Sequence, residues 1–355
     1  MRISRRVLNR TYLRRQLLLE RADAGVEDVV RQVVAVQAQD VDAPYVGIWA
    51  RSEAFTHDAL SAALRERVLV RGGLLRGTQH ITHGADYRWL RPLIRERIGN
   101  GGLSAFRRQL DGVDLDELAE AARAALNGTT MTRPQLAKAL SKRFPGREAI
   151  ALAWAAQHRL ALIHPPPSGI WRRRGHVHIA LAEEWLGAPL EDKPTIQELF
   201  RRYLLSCGPA SVADLQNWSG LRRLTGDVEA LRSQLRVYTD DNGQELFDRP
   251  EAELESADAV APVRFLPAFD NLVLSHADRS RIIVAAADQA IICPGLSAVR
   301  PTFLEDGFVA GTWEVKPGLL EVSPFRELLD PAAVYAEAER LLAFLQLPGG
   351  TEIRL

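Results

Sequence analysis

The stretch from 196 to 248 leaves a polypeptide few ways to fold. Gly208-Pro209-Ala210 interrupts one apolar-periodic helix, and Ser211 caps the next, with Asp214 three residues on as its reciprocal partner. Ser219-Gly220 makes a tight turn, and the spacing predicts a third helix over Leu221 to Leu235, with Arg222, Arg223, Arg232 and Arg236 on or beside it. Asp241-Asn242-Gly243 then turns a hairpin between Val237-Tyr238 and Leu246-Phe247. Helix, turn, helix and a two-stranded wing make a winged helix-turn-helix.

The same order occurs twice more, degenerately. An apolar-periodic segment over 149–160 runs into Leu160 to His164; Pro165-Pro166-Pro167-Ser168-Gly169 turns the chain, and Ile170-Trp171 and Val177 to Ala180 read as returning strands. Near the N-terminus, helices are expected around 8–20, 26–37 and 57–66. They are followed by strands at Val68 to Arg71 and Leu74 to Thr82 across Gly72-Gly73. After about 258 strand-like pieces dominate: Val263 to Leu266, Leu272 to Leu274, Arg281 to Ala285, Ala290 to Cys293, Gly307 to Val315 and Leu319 to Val322. One helix, Pro331 to Leu345, and a last strand at Thr351 to Leu355 close the sequence. At 355 residues more than one core is required. The expected class is α+β: winged-helix units at 1–130, 131–192 and 193–258, then a β-rich, partial-barrel domain at 259–355.

Charge narrows the function. The net charge is zero, yet the basic residues are segregated. Six arginines and no acid fall within 1–15, six more within 88–108 against Glu96 alone, and Arg172, Arg173 and Arg174 follow Trp171. Acids gather instead at 111–120 and 240–258. A neutral chain with basic stripes and an acidic remainder suits a polyanion-binding groove, while solvated helix faces are the plain alternative for any one cluster. No apolar run approaches the roughly 18 to 20 residues of a membrane span. Cys207 and Cys293 match no disulfide or metal spacing and fit a reducing cytoplasm, and the eight histidines include no His-Glu-x-x-His. No metal, no cofactor and no membrane association are expected.

One short motif stands apart. Val29, Val30, Val33 and Val34 recur at helical spacing and lead into Gln37-Ala38-Gln39-Asp40, and Pro44 forbids helix soon after. Residues two apart share a face only in extended chain. If both amides serve one site, the helix must end at or just before Gln37. Solvated glutamines near a helix end are the bland alternative.

With these elements laid out, the chain resembles a family, the winged-helix DNA glycosylases related to AlkZ and YcaQ, which excise alkylated guanines and unhook interstrand crosslinks. Six segments carry the likeness in order: Leu8-Asn9-Arg10 with Gln16-Leu17-Leu18; Val36 to Gln39 with Pro44 to Trp49; Arg76-Gly77-Thr78-Gln79-His80; Leu266 to Leu272; Ser275-His276-Ala277-Asp278-Arg279; and Asp306 to Trp313. The resemblance implies three tandem winged helices and a C-terminal barrel, C-shaped around a basic channel for duplex DNA. It also implies a catalytic Gln, hydrophobic residue, Gln-or-Asp signature, here Gln37-Ala38-Gln39. The His276-Ala277-Asp278-Arg279 segment matches a hairpin that the family aims at DNA.

That reading makes Gln37 and Gln39 catalytic, with Asp40 as the alternative base. DNA contacts are expected from Arg76, Thr78 and His80 (sharing a strand face, or else simply packing there), from Trp171, Arg172 and Arg173 at a wing tip, and from His276, Asp278 and Arg279. Tyr45 and Trp49 read as core. A carboxamide cannot act as a general base near neutral pH, but it can orient water and favour positive charge on a sugar. N7-alkylguanine is already cationic and leaves as a neutral base. The four lysines, Lys138, Lys142, Lys193 and Lys316, lie in segments without catalytic character, so no Schiff-base lyase step is expected. The expected protein is a cytoplasmic, nucleoid-associated monomeric glycosylase acting on double-stranded DNA that contains alkylated guanine, with self-resistance to a DNA-alkylating natural product as its expected role. A winged-helix transcriptional regulator without catalysis, and a damage binder that has lost it, are the competing readings.

Overall fold

A computed structural model describes residues 1–295, 298–347 and 349–355, with the backbone alone at 98–102. Its largest sheet is assembled from distant parts of the chain. Strands β1 (Ala35–Gln37), β2 (Leu69–Gly73), β3 (Gln79–His83), β4 (Met131–Thr132), β5 (Leu162–Ile163) and β6 (His178–Leu181) lie in the order β1-β3-β2-β5-β6-β4. The expected division near residue 130 therefore runs through one continuous sheet. Its two halves meet at Gly72 opposite Ile163. A side chain at Gly72 would strike the Tyr87 ring at 2.8 Å and the Leu162 carbonyl at 3.1 Å, so only glycine permits that approach.

The helix Val26–Val33 stops earlier than its periodicity suggests. Val34 takes a left-handed φ of 69°, costly for a β-branched residue, and Ala35 to Gln37 become strand. Tertiary pairing explains this: Ala35, Val36 and Gln37 face Thr82, Ile81 and His80, and the Thr82 hydroxyl donates to the Val34 carbonyl at 2.6 Å.

Within 193–258, the expected third unit, helices Ile196–Cys207 and Val212–Ser219 precede a two-stranded hairpin of β7 (Arg236–Thr239) and β8 (Glu245–Asp248). Ser211 and Asp214 form a reciprocal cap, with Asp214 accepting from the Ser211 amide at 2.9 Å. The third helix is shorter than expected. It shrinks to Thr225–Glu229 and a 3-10 turn at Arg232–Gln234, because Arg223 adopts φ 61° and breaks the helical path. Around 165–180 only β6 returns; Ile170-Trp171 is turn, its Trp171 amide donating to the Tyr45 hydroxyl at 2.9 Å.

The C-terminal region is an open sheet rather than a barrel. Strands β9 (Arg264–Leu266), β10 (Thr302–Glu305), β11 (Phe308–Lys316), β12 (Leu319–Pro324) and β13 (Glu352–Arg354) lie in the order β13-β12-β11-β10-β9, and its two edges do not meet. Three expected strands are absent. Asn271–Leu274 is helical, capped by Asp270; Arg281 to Ala285 is irregular; and Ala286–Ile292 is a helix of good helix formers. Helix Pro331–Leu345 covers the sheet and stacks Phe344 on Trp49. Cores ignore the expected boundaries too. One apolar cluster runs from Tyr12 to Leu345, and a separate one, including Leu118, Leu136 and Leu152, is shared by the helices Leu115–Leu126, Arg133–Arg143 and Ala149–Arg159 on both sides of residue 130.

Candidate active site

The Gln37-Ala38-Gln39 segment leaves the edge of the large sheet where β1 ends, held at its centre. The Ala38 amide donates to the Gln79 carbonyl at 2.7 Å. The Ala38 carbonyl accepts two bonds from Arg71, from Nε at 3.2 Å and Nη2 at 3.0 Å. The strand ends at Gln37 and the chain bends at Gln39; the Gln37 side-chain oxygen meets the turn before β3, and that of Gln39 meets Gln79, the first residue of β3. Gln37 is buried, and its Oε1 accepts from Arg76 Nη2 at 3.0 Å. Gln39 is exposed, with a long 3.4 Å contact from the Gln79 amide to its Oε1. Gln37 is thus fixed and Gln39 is nearly free.

Arg76 itself is tightly placed. Its φ is 54°, its Nη1 donates to the Trp218 carbonyl at 2.6 Å, and Gly220 packs so closely that an added Cβ would sit 2.8 Å from Arg76 Cα. Burial, and then the charge of Arg279, pull its pKa down to about 10, so it remains cationic at neutral pH. Arg76 and Gln79 line a cavity of about 810 Å³. Arg91, Arg95, Arg97, Arg222 and Arg223 line it too, no acid does among the described residues, and Phe106, Trp154, Ile94 and Leu103 supply an apolar wall. Arg91 is spent on the carbonyls of Gln157, His158 and Leu160, and Arg97 reaches Asp227 at 3.3 Å. The side chains of Arg222 and Arg223 make no hydrogen bond or ion pair among the described residues. A cationic cavity can attract a phosphodiester; Gln37 and Gln39 do not line it themselves but contact two residues that do, Arg76 and Gln79, so amide dipoles stand next to its wall.

Other expected site residues are distributed unevenly. Arg76, Thr78 and His80 do not alternate along one strand: Arg76 lies in the 3-10 turn Leu75–Gly77, and β3 begins only at Gln79. Thr78 caps that turn through the Leu75 carbonyl at 3.2 Å. His80 is fully buried; its Nδ1 contacts the Thr78 carbonyl at 3.1 Å, and burial reinforced by Arg76 pushes its pKa down to about 3. A groove contact is out of its reach. So it is for His276, which sits edge-on to Tyr12 at 4.5 Å with Nε2 against the Cys207 carbonyl at 3.0 Å. Asp278 is exposed and accepts from the Ser280 amide at 2.9 Å and hydroxyl at 2.8 Å. Arg279 approaches Cys293 Sγ at 3.4 Å and lies near enough to Arg76 to lower its pKa.

The expected wing tip is largely an internal joint. Trp171 stacks on His57 at 4.2 Å and nears Tyr45 at 5.1 Å, while the Arg172 side chain reaches the Leu345 carbonyl. Arg173 alone of the three is exposed without a side-chain partner among the described residues. Asp40 is exposed and accepts from the Asp42 amide at 2.7 Å, capping a turn. Tyr45 and Trp49 are core. The residues overlooked in the sequence are Arg71 and His164. The available signal was a lone charge within the apolar strand Val68-Leu69-Val70-Arg71.

These features meet the comparisons with known proteins as follows. The AlkZ-like family model, described as DNA glycosylase AlkZ-like, matches residues 30–344. The solved structure of the Streptomyces sahachiroi DNA glycosylase AlkZ aligns over 100% of both chains with a TM-score of 0.84 at 21% identity, which shows a shared fold. No curated protein matches the sequence.

Proposed function

We propose that this chain, which belongs to the AlkZ-like DNA glycosylase family and is a DNA glycosylase, hydrolyses the N-glycosidic bond of N7-alkylguanine in duplex DNA and leaves an intact abasic site. The observation that carries this reading is the pair of carboxamides at 37 and 39, which contact Arg76 and Gln79, two residues lining an arginine-rich cavity with no acid among its described lining residues. In this reading the three helical units wrap one duplex as a monomer, and a host that makes an alkylating natural product uses the enzyme for self-resistance.

The chemistry fits neutral groups. Alkylation at N7 puts the positive charge on the base before the enzyme arrives, so no general acid is needed for departure. What remains is to hold water beneath C1′ and tolerate an oxocarbenium-like sugar, a task of position and electrostatics. Gln37 Oε1 already accepts a bond from a cation, which makes it the poorer acceptor for a second proton. Gln39 holds the water, and Gln37 orients the assembly and supports the sugar. At about 1.4 kcal/mol per tenfold in rate, two placed dipoles supply roughly 10² to 10⁴.

Incubation with duplex bearing N7-methylguanine, followed by mass analysis of the released base, tests this. Release of the alkylated base with the strand unbroken is expected; strand cleavage without heat or alkali would contradict the monofunctional assignment. Gln39→Ala should lose about 10² to 10³ in kcat and Gln37→Ala somewhat less, while Asp40→Asn stays within about threefold of the parent. If Asp40→Asn alone abolishes release, a carboxylate base does the work. Sequence-selective binding without any base release would favour the regulator.

A further inference from the structure

Arg71 is an odd residue to find at 5% exposure with no carboxylate paired to it among the described residues. A buried guanidinium usually meets an acid, because an uncompensated buried charge is costly. Here all its bonds go elsewhere. Nε and Nη2 both donate to the carbonyl of Ala38, and Nη1 contacts Nδ1 of His164 at 3.0 Å. His164 is also buried, and its amide donates to the Arg71 carbonyl at 2.6 Å, so the two residues grip each other through backbone and side chain. Since a guanidinium can only donate, His164 must accept at Nδ1 and be neutral. Burial and the charges of Arg71 and Arg133 hold its pKa well below the ordinary value, in keeping with that state. The space for this arrangement depends on Gly169, where a Cβ would lie 3.0 Å from Arg71 Cδ.

We infer that Arg71, braced by His164, is a positioning residue for the Gln37-Ala38-Gln39 carboxamides. Ala38 is the pivot between the two glutamines, and a forked two-point clamp on its carbonyl fixes the peptide plane from which Gln39 departs. The Gln79 carbonyl holds the same residue from its amide side. Neither clamp uses a glutamine side chain: Gln39 stays exposed to water, while Gln37 is buried and held separately by Arg76. His164 also lines the arginine cavity, which connects the brace to the place where substrate binds. This rests on the catalytic reading of the two glutamines.

Activity and backbone exchange together test it. Arg71→Met should lower kcat on N7-methylguanine duplex 10- to 100-fold while affinity for undamaged duplex stays within twofold. Hydrogen exchange should rise across residues 37–40. Arg71→Lys keeps a donor but not the fork; it should fold if Arg71→Met does not, and lose less activity. In a Gln39→Ala background, Arg71→Met should add less than a threefold loss. Equal losses in both backgrounds, or unchanged exchange at 37–40 in Arg71→Lys and Arg71→Met alike, would overturn the assignment. If Gln37→Ala and Gln39→Ala instead keep full activity, the catalytic reading of the motif fails, and exchange still reports whether Arg71 holds Ala38.

Discussion

Arginines on two sides of the molecule are satisfied in opposite ways. Along the seam that ties the first 51 residues to later parts of the chain, they meet carboxylates. Arg51 forms a bidentate pair with Asp270 at 2.8 Å, Arg15 does the same with Asp248, and Arg10 and Arg21 reach Asp306 and Glu337. Around the carboxamides they meet neutral partners instead: backbone carbonyls, the Gln37 amide and a neutral imidazole. Both solutions satisfy the donors. Only the second leaves net positive charge, and it leaves it where a polyanion has to arrive. The segregation visible in the sequence is therefore less informative than the pairing, since most arginines in the 1–15 cluster are spent on the seam.

The largest expected effect comes from unbalancing the seam. Asp270→Ala leaves Arg51 buried without its carboxylate, both partners being 2% exposed, and should lower unfolding stability by about 3–5 kcal/mol. Asp270 also caps the helix Asn271–Leu274, whose Asn271 donates to the Ala35 carbonyl at 2.6 Å just before the Gln37-Ala38-Gln39 segment. Arg51→Met with Asp270→Leu should recover most of that loss, because no charge remains unpaired. Denaturant titration measures both. A loss under 1 kcal/mol in the single variant would mean that the seam arginines are not held by their acids, and the contrast between the two regions would fail.

How far the sequence reveals this contrast varies with the range of the forces involved. Caps and turns are local, so the Ser211–Asp214 cap and the Asp241-Asn242-Gly243 hairpin are readable from neighbouring residues. The break at Val34 is not, because it is imposed by β3, more than 40 residues away, and local valine spacing points to continued helix. The C-terminal strands misread at 272–274 and 290–293 are short apolar runs, for which period alone cannot separate strand from buried helix. His276 looks like a surface residue beside Asp278 and Arg279, yet Tyr12 and the Cys207 carbonyl enclose it from other elements. Of the family segments, Leu8-Asn9-Arg10 and Asp306-Gly307 touch each other: Asn9 donates to the Gly307 carbonyl at 2.8 Å. Much of the recognisable pattern therefore belongs to the seam rather than to catalysis. The glutamine pair stands out in the sequence as a candidate through its two-residue spacing and the family segments around it, whereas Arg71 offers only a lone charge at the end of an apolar strand.

Acid should expose both regions, more gently. His80 beside the site and His276 within the seam are each pushed down to about 3, chiefly by burial, and His164 is lowered as well. Above the ordinary value near 6.5 these rings are neutral whether folded or not, and their contribution is fully present. As pH falls below 6.5 the unfolded chain takes up protons that the folded one refuses until about 3. Stability should drop by up to about 1.4 kcal/mol per pH unit for each ring. Unfolding free energies at pH 7 and 5.5 check this, and equal values would rule it out. His80→Phe and His276→Phe should each shallow the slope, and the two regions should contribute alike because burial is the common cause.

The smallest effect gives the sharpest test of the contrast, since it compares arginines within one unit. Arg222 and Arg223 line the cavity and make no ion pair among the described residues, whereas Arg232 is held between Glu229 and Glu245, which raise its pKa. A free guanidinium that meets a phosphate releases a condensed counterion, and log affinity then falls with log salt by nearly one for each such contact. A guanidinium already shared by two carboxylates presents no surplus charge and should release none. Arg222→Ala and Arg223→Ala should therefore each reduce the salt slope for undamaged duplex by about one, with a few-fold loss of affinity at moderate salt. Arg232→Ala should leave the slope where it was. The result that would break the comparison is an Arg232→Ala slope reduced as much as the others, because arginine pairing would then say nothing about where DNA lies.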